Sequence, residues 1–229
     1  MAKEHFSYKS ERLDLERVNR SLESVEKNWD KINADLEKRN IGKREKFTGI
    51  IKNGLSAAYE YLDKLLEKRV EPFSLNGVTE MLVLNDKVHY GNNILLRWEY
   101  QKAMRASQDQ FFKRIDTIYA WYHRHQERGD HPLKLASQVF VSIIVPPQLF
   151  TEGNHRTGNL IANWISAYYG YAPFVLSADN AIAFFAPATK IRRFANKVSI
   201  LGKLNLPKYN ESFRKFWEEY ADKKYLLPR

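Results

Sequence analysis

The chain has 229 residues, of which 44% are hydrophobic and 14% aromatic, enough to build a core and to exclude wholesale disorder. It has no cysteine, which removes disulfide frameworks, thiolate zinc sites and cysteine nucleophiles together. The 37 Lys and Arg against 27 Asp and Glu leave a formal charge of +10, spread through amphipathic segments with short groups at Lys43-Arg44, Arg192-Arg193 and Lys223-Lys224. That spread fits a solvated surface first, an anionic ligand or acidic partner second, and a nucleic-acid face third. The N-terminal stretch MAKEHFSYKSERLDLERV carries no apolar segment of the secretory kind. The longest apolar run, Phe140 to Val145, falls far short of the ~18 residues a membrane span needs. These features predict a cytoplasmic protein with no membrane partner.

The first predicted helix carries Leu15, Val18, Leu22, Val25, Trp29, Ile32 and Leu36 at spacings of three and four, a narrow apolar stripe among charged residues. Asn40 and Gly42 supply the stop. A second stripe follows at Ile51, Leu55, Ala58, Leu62 and Leu65, so residues 1–70 read as a helical hairpin, or arm. Its apolar face either packs on the body of the protein or joins a second copy in a homodimer. Pro72 ends the second helix. Leu82 to Tyr90 reads as a short helix followed by a turn, or as a small hairpin about Asn85-Asp86. Helical spacing returns from Leu95 to about Gln126 and is broken at Gly129-Asp130. His131-Pro132 opens an apolar segment from Leu133 to Val145 that Pro146-Pro147 closes. A helix is predicted from about Glu152–Asn154 to Tyr169, an apolar region at Ala181–Phe185 before Pro187, and a last helix over roughly Glu211–Tyr220. The chain reads as mainly all-α, with a second unit over 71–229.

The stretch that carries chemistry is Gln148-Leu-Phe-Thr-Glu-Gly-Asn-His-Arg-Thr-Gly-Asn159. Gly153 permits a tight turn, and Asn154, His155 and Arg156 then fall in the first turn of a helix. Unpaired N–H groups and partial positive charge make such a terminus an anion site, to which Arg156 adds a planar fork of donors. Glu152 beside it suits a Mg²⁺ that bridges phosphates. The bland alternative is an ordinary helix start with a capping Asn and a surface Arg.

These residues resemble the active-site loop of Fic (fido) proteins, whose pattern is His-Pro-Phe-x-Asp/Glu-Gly-Asn-Gly/Lys-Arg-x-x-Arg. Phe150, Glu152, Gly153, Asn154 and Arg156 stand at matching positions, and HPLKLASQVFVSIIVPP and WISAYYG resemble the helices around that loop. The resemblance covers roughly residues 110–185. It implies a Fic-like helical bundle over 71–229 with a small β-hairpin flap between about Asn85 and Met104. It also implies transfer of AMP or another phosphate-containing group from ATP or another nucleotide to a protein hydroxyl. By resemblance Glu152 holds Mg²⁺, Gly153 to Arg156 cradle the phosphates with side-chain help from Asn154 and Arg156, and Phe150 anchors the loop.

The departures bear directly on activity. Gln148 stands where the family has its general base, and an amide is not basic near neutral pH, a loss that typically costs about 10²–10⁴-fold. Asn159 replaces the second Arg that clamps the terminal phosphates, and Leu149 replaces the Pro. His155 fills the Gly/Lys position, as a phosphate contact, a substitute base or a surface residue. His89 is placed near the flap. Two partial copies of the family's inhibitory motif, Ser7 to Glu11 and Ser56 to Glu60, lack its closing Gly or Asn and read as accidental. The sequence thus predicts either a divergent transferase or an inactive relative that binds a nucleotide and an unknown protein partner.

Overall fold

The computed structural model describes residues 9, 11–195 and 200–228, with side chains described outside 192–206. Among the described residues the regular structure is helical. Only an isolated antiparallel bridge, between Leu13 and Leu226, has β character. Of the partial inhibitory motifs, Ser7 lies outside the described residues, as do the side chains of Arg192 and Arg193.

The predicted first helix is two, α1 (Leu15–Lys27) and α2 (Trp29–Lys38), separated at Asn28, whose φ of −103° and ψ of 9° leave the helical range. Asp14 caps α1 by accepting from the Arg17 N–H at 3.0 Å. The segment 39–48 returns the chain to α3 (Gly49–Glu67). Val18, Leu22, Val25, Trp29, Ile32 and Leu36 are all buried, and so are Leu55, Ala58, Leu62 and Leu65. The apolar stripe is therefore spent on the chain's own core, which corrects its reading as a homodimer face. An apolar side chain already out of water gains nothing from a second copy.

The second correction concerns the flap. Residues 85–104 are not a β-hairpin but the end of α4 (Leu75–Tyr90), all of α5 (Ile94–Glu99) and the start of α6 (Gln101–Phe112). Ser74 caps α4 by accepting from the Gly77 N–H at 3.0 Å, and Met81, Leu84, Asn85 and Val88 fall on one buried face at helical spacing. Gly91, at φ +55°, stops that helix, and Asn93 starts the next by accepting from the N–H groups of Leu95 and Leu96. The single helix predicted for 95–126 is likewise divided, into α5, α6 and α7 (Ile115–Glu127).

The centre of the molecule is the packing of α8 (Pro132–Ile144) on α9 (Asn154–Tyr168). Pro132 sits at the first turn of α8, where its missing N–H costs nothing. Twelve residues of α9 are buried, so its start is held at a fixed place over the core. Two helices complete the bundle: α10 (Ala181–Ala195) contains Pro187, which had been read as a stop, and α11 (Ile200–Tyr220) begins earlier than predicted. Phe213 and Trp217 of α11 pack on Phe140 of α8, with ring centroids 4.8 and 5.2 Å apart. No described helix is long and apolar enough to cross a membrane.

Candidate phosphate site

The loop between α8 and α9 is held by side-chain amides. Asn154, 4% exposed, accepts from the Phe150 N–H at 2.9 Å and donates to the Phe150 carbonyl at 2.8 Å and to the Gln148 side-chain oxygen at 3.2 Å. Gln110 of α6 donates to the backbone carbonyls of Gln148 and Phe150 at 2.7 and 2.8 Å. The Phe150 ring is fully buried and stacks on Phe111 at 5.4 Å. An aromatic anchor below and two amides around it give the loop one conformation.

Gly153 follows at φ +73°, the left-handed region. A Cβ there would lie 2.5 Å from His89 Nε2 and 3.2 Å from Asn85 Nδ2, so the position excludes a side chain on two counts. Asn85, buried on α4, donates to the Glu152 carbonyl at 3.2 Å and to Thr157 Oγ1 at 3.0 Å, and accepts from Ser107 of α6 at 3.2 Å. It ties the loop, the first turn of α9 and α6 together.

His89 hydrogen-bonds the Glu152 backbone, and burial, with Arg156 as a nearby like charge, holds its pKa below the usual imidazole value. His89 is therefore neutral at pH 7. A folded-state pKa below the unfolded value of about 6.5 means that the unfolded state binds the proton more readily. Its stabilising contribution is full above about pH 6.5 and is lost as pH falls through the lower folded value. Thermal melts between pH 7.5 and 5 show a decline, and the decline is shallower in His89→Gln.

α9 begins with no side-chain cap, so the first N–H groups after Gly153 face outward without an internal partner. Arg156 stands over them. Burial lowers its pKa, an effect that Glu45 and Glu152 oppose, and it pairs with Glu45 at 3.4 Å. Glu45 comes from the 39–48 segment, which is fastened to α2: Asn33 and Arg44 exchange bonds of 2.9 and 3.2 Å, and the Trp29 indole donates to the Glu45 carbonyl at 3.0 Å. The Arg44 guanidinium lies 4.9 Å above the Phe185 ring and bonds Thr189. Between this segment and the loop lies a cavity of about 790 Å³, within the range of about 300–1,000 Å³ usual for small-ligand sites.

Gln148, Glu152, Gly153, Asn154, His155, Arg156 and Asn159 all line this cavity, and His89 does not. Their parts differ. The Asn154 amide is engaged with the loop itself. The Gln148 amide donates to the Ile144 carbonyl at 3.2 Å and accepts from Asn154. The His155 ring lies edge-on to Phe140, with centroids 6.3 Å apart. Glu152 is exposed. Asn159 sits on the inner wall, 8% exposed, with Nδ2 3.4 Å from both the Tyr59 hydroxyl and the Phe174 carbonyl. Sequence reasoning missed Asn85, Gln110, Tyr59 and Glu45. Of these, Asn85 had a signal, a polar residue on the apolar face of a helix.

No protein-family model matches the sequence, and no curated protein does. One solved structure does, that of a Fic domain containing signaling protein from Bacteroides thetaiotaomicron. The similarity spans 91% of this chain and 86% of that one, with a TM-score of 0.55 at 12% identity. The fold is Fic-like. At that identity the likeness extends to the Fic-like fold alone, and the chemistry rests on the residues of this chain.

Proposed function

We propose that the chain binds a phosphate-bearing ligand, such as a nucleotide, where α9 meets the cavity, and that it holds the ligand rather than transferring a group from it. The observation that carries this reading is the convergence on one cavity of an uncapped helix N-terminus and Arg156, while Gln148, the residue in the base position, is an amide engaged with the loop. The terminus and the guanidinium attract an anion, and the amide cannot take a proton from an attacking hydroxyl. The structural neighbour is described as a signaling protein, and a module that reports a bound nucleotide suits such a role.

Magnesium fits the donor set in one way. Among the described residues no cluster of three or more acidic or histidine side chains could hold a metal alone. Glu152, an exposed carboxylate next to Gly153, suits a Mg²⁺ whose other ligands are phosphate oxygens and water. Bound there, the ion would neutralise and bridge phosphates. Glu45 does the opposite, since its carboxylate competes with an incoming anion for Arg156.

Intact-mass measurement tests the functional half of the proposal. Candidate proteins incubated with wild type, ATP and Mg²⁺ gain no mass, and Gln148→His adds at most slow transfer. Rapid mass addition by the wild type would establish a transferase and overturn the proposal.

A further inference from the structure

The cavity is much larger than a phosphate, and its far end differs in kind from its mouth. Trp29, Phe47, Leu55, Tyr59, Phe184 and Phe185 line it beyond the loop. Trp29 packs on Phe47 at 5.3 Å and on Phe185 at 6.1 Å, which makes an aromatic wall. Two polar side chains interrupt that wall, Tyr59 and Asn159. Burial pushes the Tyr59 hydroxyl well above its ordinary pKa, so it stays a neutral phenol that receives the Asn163 amide at 3.3 Å. Asn159 is more than nine-tenths buried, its Nδ2 contacts are long, and its carbonyl oxygen has no hydrogen-bond partner.

A buried acceptor left unpaired in the wall of a cavity is an unmet demand for a donor. An aromatic lining with neutral polar groups repels a second or third phosphate, because a charge moved there loses its hydration and meets a carbonyl lone pair. The same lining favours a flat ring, which buries apolar area and stacks.

Building on the phosphate site proposed above, we infer that the interior is a subsite for a compact aromatic group bearing an N–H or O–H donor, carried on a single phosphate at Arg156. Phosphate and ring are then read at opposite ends, the phosphate by the α9 terminus and Arg156, the ring by the aromatic wall and the Asn159 carbonyl. Triphosphates gain nothing from the interior.

Calorimetric titrations with inorganic phosphate, pyrophosphate, ribose 5-phosphate, AMP and GMP test this. AMP or GMP binds at least about tenfold tighter than ribose 5-phosphate, and pyrophosphate gains less than that over phosphate. Asn159→Leu lowers the affinity for the aromatic probe about tenfold more than that for ribose 5-phosphate. Ile51→Trp, which fills the apolar end from the half-buried edge of α3, does the same and covers a folding defect in the first variant. Arg156→Ala weakens every probe. The inference is overturned if AMP and GMP bind no tighter than ribose 5-phosphate, if pyrophosphate far outbinds phosphate, or if the aromatic preference survives both interior variants. In those cases Arg156-dependent binding still leaves the phosphate site standing. Titrations in which no probe binds, or in which Arg156→Ala changes no affinity, overturn the phosphate site and this inference with it.

Discussion

Replacing Asn154 with alanine lowers the stability of the protein by about 3 kcal/mol, because two buried backbone groups of Phe150 lose their partner at once. Each orphaned group costs about 1–3 kcal/mol, and the bond to Gln148 goes as well. For a chain of this length the loss appears as a fall of roughly 6–12 °C in Tm. Asn154→Asp separates this account from simple loss of packing. A carboxylate still accepts from the Phe150 N–H but cannot donate, and it faces the Phe150 carbonyl and the Gln148 oxygen. The aspartate variant is therefore destabilised at least as much as alanine, although it nearly matches asparagine in shape. Chemical denaturation of the three proteins checks this, and an Asp variant as stable as wild type would show that the donated bonds contribute little.

Gly153→Val has the second large effect, and it acts on binding as much as on stability. A β-branched residue in the left-handed region costs about 1–3 kcal/mol, and the new Cβ lies where His89 Nε2 now sits. His89 can swing aside only by leaving the Glu152 backbone, which frees the turn that presents the first N–H groups of α9. The variant folds with stability reduced by about 2–3 kcal/mol and loses phosphate affinity by about tenfold or more. Titration of the folded variant with nucleotide measures the second effect. Unchanged affinity would mean that the glycine turn does not shape the anion site.

What could be read from the sequence divides along physical lines. The apolar stripes of α1 to α3 were visible because helical periodicity is local, and every residue named in them is buried. The start of α9 was visible because Gly153 followed by a long amphipathic run leaves few alternatives. The flap was misplaced because the resemblance supplied it, while Ser74, the buried face of α4 and the Asn93 cap all favour helix. The surroundings of the loop were not legible, since Asn85, Gln110, Tyr59 and Glu45 reach it from about 40 to 110 residues upstream through tertiary packing. The neutral character of the interior was half legible. Asn159 stood out as a missing Arg, but the aromatic wall facing it is made by α2, α3, α10 and the 39–48 segment, which no local pattern connects.

The central claim is that the start of α9 and Arg156 form a working phosphate site. Thermal stabilisation by a nucleotide panel, with and without Mg²⁺, tests it directly in the wild type and in Arg156→Ala. A ligand at a hundred times its dissociation constant adds about 2.7 kcal/mol of stability to the wild type, and the shift disappears in Arg156→Ala. Equal shifts in both proteins, or none in either with any nucleotide, would contradict the claim.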